Sequence, residues 1–539
     1  MPLLPARSLR IPADEGGSCW MATAEIIGLV TLCFLYAGTD PPQVNEAHYL
    51  CKAKSFWQPN WCADDFFLKS ADAHFVFYWT FGWLTQWVSL TTAAWVGRFI
   101  SWLAIAIAWW QLTQSYWPKR GLALWAGAMA IALWDQMHMA GEWVVGGVEA
   151  KGIAYALVFL AYAALSRLRW GAAFLWLGAA SAFHVLVGGW ATLGALLVLS
   201  TEYKSVSSWT RLAWALGGGA LLSLPGLWPA LELSRQGTPY TVALAQEVYV
   251  FHRLGHHLLP HRMDPWLIGR FVLGGVVWGI FVWRTRLSPA DWRLQKLVAA
   301  AMLLAAIGAT LSTITMLDRP LNAAIMRYYW FRQSDFMLPL GLTAILATRF
   351  MLSDRPGNVS GRAKGNLAMA ALLLVPTVFF TLHASATLHD RRPEAVVQGT
   401  KLVADQAAAQ RVDYRDWRDI CEFIRESTPK DALFLTPYHH QTFKWYAQRA
   451  EFVTWKDVPQ DTVGIIEWWQ RSMIARRIGM SSLNRPLNMT QLWPAIETYD
   501  INYVVLRRTQ YRPTLKFPVL HHNSSYLLLV IPPATQSDE

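Results

Sequence analysis

Apolar runs at 21–38, 93–113, 121–136, 152–165, 212–231, 266–283, 297–316, 336–348 and 366–384 recur through the chain at or near the length that crosses a bilayer core. Lipid offers no hydrogen bonds to a bare backbone, so runs of this kind commit most of the chain to membrane helices. With 54% hydrophobic and only 15% charged residues, the sequence is too apolar for an ordinary soluble globule. The expectation is a polytopic α-helical membrane protein. The first run lacks a small-residue cleavage site and reads as a retained anchor, leaving residues 1–20, with Arg7 and Arg10, as a cytoplasmic N-terminus.

Residues 171–200 hold His184, Gly188 and Gly189 at their centre and have Arg167, Arg169, Lys204 and Arg211 at their flanks. Basic residues at both ends argue for two short passes forming an incomplete hairpin, which brings the total to about eleven crossings. Lys119-Arg120, the Arg284 to Lys296 segment and the Arg349 to Lys364 segment then fall on the same, cytoplasmic side. Residues 21–384 form the multi-span domain, with the N-terminus inside and the C-terminus outside. A single span over 171–200 would flip every later loop.

From residue 385 charge rises and apolar runs shorten. In "DWRDICEFIREST", Trp417, Ile420, Cys421 and Ile424 recur at helical spacing. "ALFLTP", "EFVTW", "INYVVLRR" and "SYLLLVI" read as strands, and "HQTFKWYAQR" and "GIIEWWQRSMIARR" as helices. Residues 385–539 are therefore expected to be an extracytoplasmic α/β domain. The net charge of +11 comes with no basic stripe or nucleic-acid motif, so nucleic acid is not an expected partner.

The first outer loop, residues 39–92, carries "VNEAHYLCKAKSFW" and then an apolar stretch over 65–92. Lys69, Asp72 and His74 interrupt that stretch, which suits an amphipathic helix lying at the membrane surface. Cys51 and Cys62 share this loop, and an oxidising compartment would allow a bridge between them. "VGRF", with Arg98, opens the second span, and "WPKRG" closes it.

This order of first span, acidic loop, interfacial helix, arginine and basic stop resembles the GT-C superfamily of glycosyltransferases that use lipid-linked sugars, particularly the aminoarabinose transferases and protein O-mannosyltransferases. The family carries an Asp-Glu pair followed by x-x-Tyr in its first outer loop. The matching residues here are Asn45-Glu46 and Tyr49, so an amide stands where the first acid is usual. The resemblance implies sugar transfer from a polyprenyl-phosphate donor on the outer face of the cytoplasmic membrane, to an acceptor that no motif identifies.

Such a displacement needs a carboxylate to activate the acceptor and cations to neutralise the departing phosphate. Glu46 is the expected base, and Asp65 is the alternative carboxylate. Arg98, Lys151, His184, Arg327 and Arg332 are the expected donor-phosphate cations, with Glu149 a further candidate in "GGVEAKG". The plainer alternatives are an Arg332–Asp335 pair and a Glu149–Lys151 pair that satisfy themselves. "FHRLGHHLLPHR" adds His256 and His257, for which a divalent metal, lipid phosphate or no ligand at all are each open. A transporter or flippase of lipid-linked or charged solutes, and a non-catalytic envelope-assembly protein, are the competing functional classes.

Overall fold

The computed structural model describes residues 15–351, 359–396, 407–512 and 517–532. Arg7, Arg10 and Arg355 lie outside these segments. The chain begins with α1 (Glu15–Ala37), α2 (Glu46–Trp57), α3 (Phe66–Lys69), α4 (Phe75–Thr80), α5 (Leu90–Tyr116), α6 (Leu122–Gln136), α7 (Ala150–Ser166), α8 (Trp170–Phe183), α9 (Val185–Thr201) and α10 (Trp209–Arg235). It continues through α11 (Pro239–Glu247), α12 (Gly255–Leu258), α13 (Pro265–Arg284), α14 (Pro289–Ile314), α15 (Arg319–Met326), α16 (Arg332–Leu346) and α17 (Val359–His389).

Among the described residues, Trp20–Ala37, Leu90–Tyr116, Pro265–Arg284, Pro289–Ile314 and Met369–His389 are helical segments long and apolar enough to cross a membrane. The protein is a multi-pass membrane protein. Helices α6 to α10 and α16 occupy the other expected spans, and α10 and α16 carry internal prolines at Pro225, Pro229 and Pro339. The 171–200 stretch is broken at His184, whose backbone is extended. A Cβ on Gly188 would lie 2.3 Å from the Ser181 amide nitrogen. In one continuous helix residues seven apart are about 10 Å apart along the axis, so α8 and α9 fold back on each other.

The expected single interfacial helix over 65–92 is instead α3, α4 and a short 3-10 turn at Gly82–Gln86. At the break the buried Lys52 ammonium donates to the carbonyls of Phe67, Leu68 and Ser70, which holds the end of α3 against α2. Trp79, Trp83 and Trp87 project from this segment, exposed, as headgroup-level aromatics do. Cys51 and Cys62 are buried free thiols, so the expected bridge is not formed.

The C-terminal domain contains α18 (Ala407–Ser427), β1 (Leu433–Leu435), α19 (Phe443–Ala447), β2 (Ala450–Glu451), α20 (Thr462–Ile478), α21 (Met489–Tyr499), β3 (Tyr503–Arg507), β4 (Val519–His522) and β5 (Tyr526–Val530). The strands form one mixed sheet in the order β2-β1-β3-β5-β4, with β1 parallel to β2 and β3 and the last two pairings antiparallel. Trp417, Ile420, Cys421 and Ile424 are all fully buried, as their spacing predicts.

This domain does not stand apart from the first loop. Ala47, Leu50, Cys51, Phe67 and Phe77 of the loop belong to the same apolar cluster as Trp417, Phe434 and Trp468. A buried charge network crosses the seam. The Lys444 ammonium meets Asp65 at 3.3 Å, Glu451 at 2.6 Å and Asp457 at 2.8 Å, and His48 Nδ1 lies 2.9 Å from Asp457. Asp65 also caps α3 through the Leu68 amide and accepts from the Glu451 amide at 3.0 Å.

Burial alone would raise the Asp457 carboxyl, but Lys444 and His48 outweigh it and hold the group well below the usual carboxylate range. Its stabilising contribution is therefore fully present above about pH 4, the ordinary carboxylate value, and is lost as pH falls toward the depressed folded value. Urea unfolding of the detergent-solubilised chain should show a midpoint that drops below about pH 4. Asp457→Asn should flatten that drop. An acid limb unchanged in this variant would place the titrating group elsewhere.

Candidate functional site

Glu46 opens α2 and is completely buried. Its Oε1 accepts from Arg98 Nε at 2.6 Å and the Val148 amide at 2.8 Å, and its Oε2 accepts from Arg98 Nη2 at 2.6 Å and the Gln43 amide at 2.8 Å. The guanidinium, itself fully buried, also donates to the Thr39 carbonyl at 2.5 Å and lies over the Trp95 ring. Gly147 allows the approach, since a Cβ there would sit 2.7 Å from the Glu46 carboxylate. The two residues expected to meet substrate are thus engaged with each other. They fasten α2, α5 and the 146–149 segment together.

Beside this pair lie two cavities. The larger, of about 1080 Å³, is lined by polar groups that include Asp135, His138, Glu142, His256, His257, and Glu394. The smaller, of about 420 Å³, combines Tyr49, His74, Glu149 and His184 with an apolar side made by Phe183, Leu186, Leu227, Leu231 and Val242. Trp214, Leu221 and Trp228 of α10 are exposed on the neighbouring surface. Asn45, Lys151, Arg253, Tyr329, Arg332 and Lys456 line both cavities and form a septum between them.

At the septum Lys151 lies 3.2 Å from Glu149 and 3.5 Å from Glu142, with its ammonium 3.8 Å from the centre of the Trp143 ring. Arg332 reaches Glu142 at 3.0 Å and its guanidinium lies 3.1 Å from His184 Nε2, while Nδ1 of the same ring accepts from the Val187 amide at 3.4 Å. Tyr155 completes Glu142 with a 2.8 Å hydrogen bond. Asn45 donates to Glu149 Oε2 at 2.7 Å. The Asn45 amide therefore supports a carboxylate further along the chain. Burial raises the Glu149 carboxyl above its ordinary range, although Lys151 and Asn45 pull the other way.

Tyr49 hydrogen bonds His74 at 3.2 Å in the smaller cavity, and Arg327 lines the same cavity over the Tyr328 ring. Asp65 lies at neither cavity and is held in the Lys444 network, because its two oxygens cap α3 and bind β2. The Arg332–Asp335 pair is not formed. Asp335 instead accepts from the amides of Met139, Ala140 and Glu142 and so shapes the loop that carries Glu142. His257 Nδ1 contacts the Ala140 carbonyl at 2.5 Å, and burial pushes its pKa down to about 3. Among the described residues, no group of three His, Cys, Asp or Glu converges as a metal centre would require.

Glu142, Arg253 and Lys456 escaped the sequence reading. Glu142 was legible as a third charge in the apolar loop that carries Glu149 and Lys151. Arg253 sits among the histidines of 252–261, and Lys456 follows the segment read as a strand; neither has a local pattern that marks it.

A domain family of unknown function, DUF6798, matches residues 415–473, the part of the C-terminal domain that contains Lys444, Lys456 and Asp457. No curated protein sequence matches the chain. Among solved structures, the chain is similar to ArnT from Cupriavidus metallidurans in the apo state, at 12% identity and a TM-score of 0.40, covering 96% of this chain and 98% of that one. It is also similar to the Archaeoglobus fulgidus oligosaccharyltransferase AglB in complex with an inhibitory peptide and a dolichol-phosphate, at 11% identity and a TM-score of 0.40, covering 92% of this chain and 69% of that one. A second A. fulgidus oligosaccharyltransferase structure, with Zn and sulfate, gives 12% identity and a TM-score of 0.41 over 90% of this chain and 68% of that one.

Proposed function

We propose that the protein is a membrane glycosyltransferase that takes a sugar from a polyprenyl-phosphate donor on the outer face of the cytoplasmic membrane. The observation that carries this reading is the pair of cavities, one polar and one with an apolar side, that meet at a wall of carboxylates and cations. A lipid-linked donor suits the apolar side of the smaller cavity, while a hydrophilic acceptor would enter by the polar cavity and carry its reacting hydroxyl past the septum to Glu149.

Glu149 is the base in this reading, rather than Glu46 or Asp65. A base must have a free lone pair within reach of the acceptor hydroxyl, and four donors already occupy Glu46. Glu149 lines the smaller cavity and has one partner at each oxygen, Asn45 on Oε2 and the Lys151 ammonium 3.2 Å from Oε1, which leaves each oxygen a lone pair. Glu149 would take the acceptor proton as the acceptor oxygen bonds to the anomeric carbon. The sugar–phosphate C–O bond breaks, and the phosphate leaves on the polyprenyl chain.

Lys151 and Arg332 stabilise the charge that develops, and His184 positions Arg332 by direct contact at 3.1 Å. Arg327 stands at the same cavity, suited to a donor headgroup. Arg98 has the role of holding Glu46, which fixes the start of α2 and so the place of Asn45.

Asn45→Asp should move the acid limb of the pH–rate profile to higher pH. A second carboxylate 2.7 Å from Glu149 disfavours its ionisation and raises the pH at which the base becomes available. An unmoved limb would remove Glu149 from the role of base. The reading as a whole is tested by incubating the reconstituted full chain with a polyprenyl-phosphate sugar and following release of polyprenyl phosphate.

A further inference from the structure

The charges at the septum do not balance evenly. Glu142 and Glu149 face Lys151 and Arg332, so that group is neutral as it stands. Arg253 and Lys456 make no ion pair among the described residues, although Glu149 and Asp457 stand near enough to offset part of their charge. Arg253 is 7% exposed, and its Nε is buried without a hydrogen-bond acceptor. Its guanidinium lies 4.9 Å from the centre of the Trp455 ring and donates, at 3.5 Å, to the Lys456 carbonyl. A buried cation with an unmet donor is costly unless something anionic arrives to meet it. Both side chains line both cavities.

We propose that Arg253 and Lys456 together form a phosphate-binding site at the septum, so that the C-terminal domain supplies half of the anchor for the anionic ligand. This deepens the transferase reading and rests on it for the identity of the lipid. The guanidinium fork of Arg253 offers directional donors to phosphate oxygens, and the Lys456 ammonium adds a point charge.

The placement also ties binding to domain attachment. Lys456 is next in the chain to Asp457, which is held by Lys444 and His48 across the seam with the first loop. A phosphate held by Lys456 would therefore brace that seam, and the seam in turn fixes where the ammonium stands.

Lys456 is surrounded by Arg253, Lys151, Glu149 and Asp457, with the imidazoles of His48, His256 and His257 beyond them. Burial, assisted by Arg253, pushes its amine down to about 7. Measured against Lys456→Arg, whose charge does not titrate and which therefore cancels the phosphate's own second ionisation, wild-type affinity should weaken as pH rises from about 6 to about 8.5 and the amine loses its proton.

The test uses the full chain in detergent micelles with two probes: polyprenyl monophosphate in mixed micelles, and inorganic phosphate without lipid. Wild type should bind one or both. Lys456→Gln and Arg253→Gln should each weaken binding by about ten- to hundredfold, the equivalent of one lost charge-assisted hydrogen bond. Lys456→Arg should restore affinity and remove the amine's share of the pH dependence, because arginine keeps its charge.

Dependence confined to the lipid probe assigns the site to a lipid headgroup, and the same dependence with inorganic phosphate assigns it to free phosphate. Variants that unfold thermally like wild type yet bind both probes unchanged would overturn the proposal, as would wild type binding neither. Intact, Lys456-dependent phosphate binding without sugar transfer would leave this site standing and remove only the transferase reading.

Discussion

Glu149→Gln should lower sugar transfer by roughly a hundredfold to ten-thousandfold while leaving the protein folded. The substitution keeps the shape of the side chain and an oxygen that accepts from Asn45, but it removes the group that takes the acceptor proton. The loss should fall on turnover rather than on donor binding, because the cations of the septum remain. Thermal unfolding in detergent and single-turnover kinetics separate the two effects. A variant that turns over within a fewfold of wild type would leave Glu149 as a partner of Lys151 and nothing more.

Arg98→Ala acts on the fold instead. It strips Glu46 of both guanidinium hydrogen bonds and leaves a carboxylate at zero exposure with only the Gln43 and Val148 amides. Breaking a buried pair from one side costs about 3–5 kcal/mol, a large share of the stability of a typical domain. The expected outcome is poor accumulation and a sharply lower unfolding midpoint. Arg98→Lys should recover only part of it, since an ammonium cannot reproduce the paired hydrogen bonds. Wild-type stability in Arg98→Ala would contradict the structural role given to this pair.

The helical segments were the readable part of the sequence. Apolar length announces a membrane helix directly, and the break at His184 was signalled by two glycines and by basic flanks at both ends. The buried face of α18 followed from Trp417, Ile420, Cys421 and Ile424 at helical spacing. Strand β4 was missed because Val519 and Leu520 are exposed and His521 and His522 carry no apolar alternation. Helix α21 was missed too, with Pro494 inside it.

Many residues that line the two cavities could be named one by one from the sequence, but their partnerships could not. Glu46 and Arg98 stand 52 residues apart, and neither one's neighbours in sequence reveal that they bind each other. Asn45 looked like a defect in an acidic pair, whereas its amide reaches Glu149, 104 residues on. The contribution of the C-terminal domain was the least visible, because Lys456 lines the cavities in a fold where the first loop packs into that domain's core.

The central claim is tested most directly with proteoliposomes that contain the full chain and a polyprenyl-phosphate sugar labelled in the sugar. The account predicts that label moves to acceptor with release of one polyprenyl phosphate per sugar transferred, and that Glu149→Gln abolishes this release. Movement of the intact labelled lipid between leaflets, with no bond broken and no effect of Glu149→Gln, would contradict it.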